Sequence, residues 1–418
     1  MSQCPFANLL DPDTYANGMP YDSLKEIREA GPIVRMEDPL TGVPYWVVTR
    51  REDLDSISKN PALFSSAARS AFPMEYEQDM VDGIHSNTII NMDPPIHQKV
   101  RRIVRNAFTP KRVESYEPAF REHARQILDS VASRGECEFV EEVAAELPLI
   151  AILELLGVPL EDRKKFFDWT NTMIFADDPD MSTSELEGQM ASLEVIQYAM
   201  KLAAKHRVEP MDNITGALLD AELNGEPISE DLFGWMFILI LVGGNESTRT
   251  VIAQGMRLLM EHPEQLQYLV DNPDKIANAC EEILRYNTAF ISMRRTAMED
   301  TELGGQHIAK GDKVLLHYHT VNHDENVFGD DAMEFDVTRA ERMPDLYNQL
   351  RSFGIGQHFC IGTHLARLEL RIMFEEIIPR LRNPQFKDEP KFVRSFFVNA
   401  MKEMNITFDP ELAGADAA

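Results

Sequence analysis

Apolar residues three and four positions apart, as in Ala144, Leu147, Ala151 and Leu155, recur from about Lys111 to Arg285 and predict a series of long amphipathic helices. The run Leu232–Gly244 is apolar nearly throughout. It is shorter than the ~20 residues that cross a bilayer, so it predicts a helix buried in a core. Strand signals lie on either side of this helical stretch. Val43–Val48 (VPYWVV) is one, and the alternation from about Phe290 to Leu316, around Gly304-Gly305, predicts several more. A helix resumes near Gly362 and is expected to run to Ile378, stopped by Pro379. A β-pair is expected within Phe396–Phe408 (FFVNAMKEMNITF). Helices with a segregated minor sheet predict a mainly α, or α+β, architecture: a large helical region beside a smaller β-rich one.

At 418 residues, length alone suggests two or three domains of ~150 residues. No repeat or low-complexity tract divides the chain, and the only linker-like composition is the tail Ala413–Ala418. A single unit over 1–418 is therefore expected, with a core at about 13–408 and flexible termini at 1–12 and 409–418. Acidic residues number 69 against 41 basic, a net charge of −28. That balance disfavours general binding to nucleic acid or to anionic membrane surfaces. The N-terminus lacks the basic-then-apolar pattern of a secretory signal. Cys4, Cys137, Cys280 and Cys360 show neither paired zinc spacing nor disulfide density. A reducing cytoplasm and a monomer are the expectations.

The most informative stretch is FGIGQHFCIGTHLARLEL, Phe353–Leu370. Gly354, Gly356 and Gly362 bracket Cys360, so backbone can wrap the sulfur where side chains would collide. The helix that follows presents unpaired N–H groups, which favour thiolate. Such a cysteine can be a nucleophile, an axial ligand to iron or a buried structural thiol. A hydrolase built on Cys360 and His358 fails, because two residues in one tight loop lack a third orienting group.

FGIGQHFCIG has the form FGxGxHxCxG and resembles the cysteine loop of the cytochrome P450 family. Other segments resemble that family in the same order. The resemblance implies that Cys360 is the axial ligand of a haem b iron, that Phe353 packs near its sulfur and that His358 reaches a haem propionate. It implies the same propionate role for His97 and Arg101 of MDPPIHQKVRR, which share a helix face, and for Arg295 of RRTA. Glu282 and Arg285 of EEILRY, with Arg339 of the segment Phe335–Arg339 (FDVTR, Asp336 included), match a buried structural triad. GGNEST matches the family's distal-helix pattern through Gly243, Gly244 and Glu246. The two glycines imply a groove for dioxygen, and Glu246 with Ser247 an acid–alcohol pair for protons. Ser247 stands where the family usually has threonine; it keeps the hydroxyl and loses the methyl that fixes the rotamer. Thr248 is ~100° further round and should face elsewhere.

The implied activity is monooxygenation: one atom of O2 inserted into a C–H bond of a small hydrophobic molecule. No G-x-G-x-x-G opens a helix, so electrons from NAD(P)H would arrive through a ferredoxin, of the 2Fe-2S kind, and its reductase. A basic face of Lys99, Arg102, Arg105, Arg351 and Arg367 is expected to receive that donor. Family positions suggest pocket walls at Phe72, Met74, Ile89, Trp169, Phe175, Leu239, Phe290, Met293, Phe396 and Phe397, whose apolar character suits a hydrocarbon. RRTAMEDTELGG and the C-terminal strands are similar to bacterial members acting on terpenoids, sterols or alkyl-aromatics. A peroxide-driven member of the family and a non-catalytic haem sensor or carrier are the alternatives. The Glu246-Ser247 pair argues against the former.

Overall fold

The computed structural model describes residues 6–175, 178 and 185–411. Eight principal helices make up the larger part: α1 (Ile96–Val104), α2 (Glu117–Ala132), α3 (Glu146–Leu156), α4 (Arg163–Ile174), α5 (Glu185–His206), α6 (Glu230–Glu261), α7 (Ile276–Tyr286) and α8 (Thr363–Arg380). The apolar run predicted as a core helix lies inside α6, whose 32 residues span roughly 48 Å at 1.5 Å per residue. Ser229 starts it by accepting a hydrogen bond from the Leu232 amide at 3.1 Å. Two glycines let neighbours approach this helix. A Cβ on Gly244 would lie 2.7 Å from Ile152 Cδ1 of α3, and one on Gly255 would lie 2.7 Å from Phe374 of α8 and 2.9 Å from Ile283 of α7. α3 itself is apolar on nearly every side and buried accordingly.

The smaller part is built on strands β1 (Ile33–Glu37), β2 (Pro44–Val48), β3 (Phe64–Ser65), β4 (Glu136–Glu138), β5 (Ser292–Ala297), β6 (Thr301–Leu303), β7 (Gln306–Ile308), β8 (Lys313–His317), β9 (Arg382–Phe386), β10 (Lys391–Phe392), β11 (Met401–Glu403) and β12 (Asn405–Asp409). The main sheet has the order β1-β2-β8-β5-β3, with β8 parallel to β2 and antiparallel to β5. Side chains alternate across it. Trp46, Val48, Met293, Val314 and Leu316 pack on one face, and Tyr45, Val47 and Leu315 on the other. β6 and β7 form a hairpin whose two turn residues, Gly304 and Gly305, both have positive φ.

Three boundaries differ from expectation. β11 and β12 do not pair with each other: β11 pairs with β10, and β12 sits between β9 and β4. Only one residue separates them, too few for a hairpin turn. α8 runs past Pro379 to Arg380, because a proline in the last turn forfeits only a terminal hydrogen bond. At the N-terminus the packing begins before residue 13, since Leu9 and Leu10 are buried against Tyr15 and Val34. The small-residue tail Ala413–Ala418 and Cys4 lie outside the described residues.

Glu282, Arg285 and Arg339 are all fully buried. Arg285 donates to both carboxylate oxygens of Glu282 at 2.7 and 2.8 Å, and Arg339 Nε reaches the same oxygens at 3.1 and 3.2 Å. The remaining guanidinium donors go to the carbonyls of Asn322, Ala332 and Glu334 for Arg285, and to those of Phe328, Asp331 and Glu334 with the Asp331 carboxylate for Arg339. Asn322 in turn donates to Ser352 Oγ at 2.8 Å and accepts from the Arg351 amide at 2.6 Å, which ties the triad to the start of the cysteine loop. Replacing Arg285 with leucine leaves the buried Glu282 carboxylate to Arg339 and the Asp336 amide and strands three carbonyls. The expected loss is about 3–5 kcal/mol, measured by denaturant unfolding. A loss below about 1 kcal/mol would show that the carboxylate finds water or another partner.

Candidate functional site

The loop around Cys360 is a tight wrap. The Cys360 amide donates to the Phe353 carbonyl at 2.9 Å, closing it. Gly354 and Gly356 take positive φ (65° and 75°), and a Cβ on Gly356 would lie 2.5 Å from the Ser58 carbonyl, so only glycine lets the loop seat on the helix Arg51–Ser58. Cys360 is half-buried, with a Gly362 Cβ position 3.9 Å from its sulfur. The preceding Phe359 is 36% exposed. Burial pushes the thiol up, against the Gly362 amide and the guanidinium groups of Arg101 and Arg367.

Beside this loop lies a group of nitrogen donors. His97 and His358 stack tilted, ring centroids 4.3 Å apart. His97 Nδ1 is buried without a hydrogen bond, and His358 Nε2 lies 3.2 Å from Ser66 Oγ. Burial, reinforced by Arg101, pulls His97 down to about 4, and burial with Arg295 pulls His358 lower still, so both rings are neutral at pH 7. Arg295 is 5% exposed and donates to the Arg294 carbonyl at 2.7 Å. Among the described residues no carboxylate lies within ion-pair distance of Arg295 or Arg101. Arg101 Nη2 holds the Phe359 carbonyl at 2.6 Å, a contact with the cysteine loop that sequence did not suggest. Asp93 was also missed: it accepts from Ser65 Oγ and from the Ser66 amide at 2.9 Å, placing Ser66 against His358. Its position in MDPP was the available signal.

The distal-pattern residues separate around α6. A Cβ on Gly243 would meet nothing within 4 Å, whereas Gly244 faces Ile152. Gly244 is thus a packing residue and not part of the open groove expected of both glycines. Ser247 Oγ donates to the Gly243 carbonyl at 2.7 Å. Glu246 is fully buried on another face, accepting from Asn245 Nδ2 at 2.9 Å, with Arg249 Nη1 3.5 Å away. Burial raises its carboxyl, opposed by Arg249 and the Thr170 hydroxyl. Arg249 is anchored to Asn171 of α4 at 2.6 Å. The acid and the alcohol are neighbours in sequence that do not bond to each other. Thr248 faces away, towards the Gly244 carbonyl.

These donors fit an iron porphyrin. A thiol in a glycine-lined wrap, buried cations without anions, an unbonded imidazole nitrogen and free space beside Gly243 are what a dianionic macrocycle with an axial sulfur ligand requires. Of the expected pocket walls, the structure brings together Phe72, Phe290 and Phe397, with Phe397 5.4 Å from Phe72 and 5.0 Å from Phe290. Phe175 packs beside Phe290 and Phe397, and Met293 in the sheet cluster that also touches them. Ile89 and Leu239 are partly buried against the helical core. Three others stand elsewhere. Trp169 is engaged between α4 and α5 with Phe166, Tyr198 and Glu194. Met74 and Phe396 pack into the cluster of Leu9 and Tyr15, which Phe397 also touches.

The expected basic face is also reduced. Arg351 is buried in a bidentate pair with Asp55 (2.6 and 2.8 Å), and Arg367 pairs with Glu281 (2.7 and 2.9 Å) while stacking on Tyr347 and Phe353. Lys99, Arg102 and Arg105 remain exposed on or just after α1. No helix among the described residues is long and apolar enough to cross a membrane.

The model of the family described as "Cytochrome P450" matches residues 164–408. A steroid C26-monooxygenase of Rhodococcus jostii is 37% identical over 97% of this chain and 85% of its own. Linalool 8-monooxygenase of Pseudomonas putida is 33% identical over 97% and 99%. The solved structure of a Mycobacterium marinum cytochrome P450 in complex with pseudoionone superposes with a TM-score of 0.87 at 31% identity, covering 98% of this chain and all of that one. With the thiol wrap, the buried triad and the unpaired donors in place, these likenesses lead to one conclusion: the chain belongs to the cytochrome P450 family of haem-thiolate monooxygenases.

Proposed function

We propose that this enzyme hydroxylates a C–H bond of a small terpenoid or steroid-like hydrocarbon, with electrons delivered by a ferredoxin and its reductase. The observation that carries the reading is a thiol, wrapped in glycines, beside cationic and imidazole donors that have no anion among the described residues. Cys360 would hold the iron of haem b, and His97, Arg101, Arg295 and His358 its propionates, with Phe353 shielding the sulfur. When bound, that haem supplies dioxygen activation, favoured by thiolate ligation. Phe72, Phe290, Phe397 and Leu239 offer an apolar wall that excludes water and holds a hydrocarbon without hydrogen-bonding demands. The names of the relatives, a steroid and a linalool oxidase, favour terpenoid and steroid skeletons over alkyl-aromatics. The test is reduction under CO followed by turnover of a terpenoid and steroid panel with a ferredoxin system. Wild type should give the band of thiolate ligation and product, and Cys360→Ala neither. A histidine-type band in wild type would overturn the assignment.

Ser247 keeps its hydroxyl on the Gly243 carbonyl, and Glu246 holds a raised, buried carboxyl one position away. We assign the serine hydroxyl to proton delivery and the carboxyl to its resupply, through movement of the Glu246 side chain away from Arg249. Ser247→Ala should cut product per NADH by about tenfold, with peroxide rising to match, and Ser247→Thr should restore coupling. Unchanged product and peroxide yields in the alanine variant would remove this hydroxyl from the proton path.

Lys99, Arg102 and Arg105, with exposed Phe359 near the thiol, form the face to which an acidic donor would dock. Reversing charge at Arg102 and Arg105 should slow reduction by the ferredoxin about tenfold at low salt and flatten its salt dependence. A rate that stays the same across salt in both proteins would place docking elsewhere.

A further inference from the structure

On the face of the main sheet opposite Arg295, two cations are buried close together. Arg294 of β5 is 3% exposed and Lys313 of β8 is 1% exposed. Arg294 pairs with Leu315 and Lys313 with Thr296, so the two are diagonal neighbours on one sheet face. They share it with Tyr45, Val47 and Leu315, an apolar setting in which like charges repel strongly. One carboxylate reconciles them. Glu75 places Oε2 2.9 Å from Arg294 Nη1 and Oε1 3.0 Å from Lys313 Nζ. Asp38 lies 3.9 Å from Lys313, but its other oxygen is already committed to the amides of Leu40 and Thr41. Burial works against the charge of Glu75, yet Arg294 and Lys313 together hold its carboxyl below the usual range.

Glu75 does not belong to the sheet. It lies in Ala71–Tyr76, a stretch without helix or strand that also carries Phe72, the ring set edge-on to Phe397. Arg294 grips this stretch twice more, through its amide to the Ala71 carbonyl at 2.7 Å and its Nη1 to the Met74 carbonyl at 3.4 Å. An irregular loop bearing a pocket aromatic is therefore held to the rigid sheet by two carbonyls on Arg294 and by one carboxylate between two buried cations. That carboxylate is 25% exposed, so water can reach and release it.

We propose that Glu75 is a positioning residue: its ionic clasp to Arg294 and Lys313 holds the Ala71–Tyr76 loop, and Phe72 with it, closed over the hydrophobic pocket and so sets the rate at which small hydrophobic molecules enter and leave. The proposal rests on the reading of Phe72 as a pocket wall. Releasing the clasp strands two cations in an apolar cluster, so the closed loop is favoured whenever Glu75 is ionised. The clasp also joins pocket and cofactor through backbone, because the Arg294 carbonyl is the acceptor of the Arg295 guanidinium.

The test compares haem-loaded wild type with Glu75→Gln, Glu75→Asp and the double variant Glu75→Gln/Lys313→Met. Hydrogen exchange of peptides spanning residues 66–80 reads the loop, and stopped-flow dissociation of 4-phenylimidazole, followed at the Soret band, reads the pocket. In Glu75→Gln both should accelerate by about tenfold or more. The aspartate variant, which keeps the charge, and the double variant, which removes the surplus cation, should each recover part of the slowing. Unchanged exchange in Glu75→Gln overturns the clasp. Faster exchange with unchanged dissociation overturns the gating role and locates the failure in the placement of Phe72 at the pocket.

Discussion

A carboxylate taken out of water must be answered by charge and hydrogen bonds nearby, and Glu282 is answered by two guanidinium groups at once. The consequences spread because each arginine has donors left over after the carboxylate is satisfied. Those donors collect carbonyls from Asn322 and from the Phe328–Glu334 segment, backbone that has almost no regular structure of its own. Asn322 then fixes Arg351 and Ser352, immediately before the loop that wraps Cys360. The position of the sulfur is thus inherited, through a few polar contacts, from a charge buried on α7.

A second electrostatic logic runs through the cofactor side. A chain with a net charge of −28 keeps Arg295 buried and Arg101 half-buried with no ion-pair partner for either among the described residues. Burying a cation in that way is costly, and an incoming dianion relieves the cost. Desolvation and those same arginines hold the histidines beside them below the usual imidazole range.

The cysteine loop was legible in the sequence because everything it needs is local: glycines where φ is positive, a histidine two residues before the thiol, a helix start after it. The helical core was legible from periodicity for the same reason. What escaped depends on neighbours remote in the chain. Nothing in GGNEST separates the glycine that leaves open space from the one pressed on Ile152, since that depends on where α3 lies. Arg351 and Arg367 read as surface bases, but Asp55 and Glu281 claim them. β11 and β12, read as a pair, take their partners from earlier segments of the chain. Glu246 and Ser247 look paired on paper and diverge by ~100° on a helix.

The seat of the cysteine loop has a temporal implication. Gly356 rests on Ser58, Arg351 clamps Asp55, and His358 meets Ser66 across 292 positions of chain. β2 likewise waits for β8. During synthesis the early segments emerge long before their partners exist, and contacts this far apart are slow to close. The seat of the cysteine loop is complete only once residues 351–362 have been made, long after the segment 55–66 that receives them.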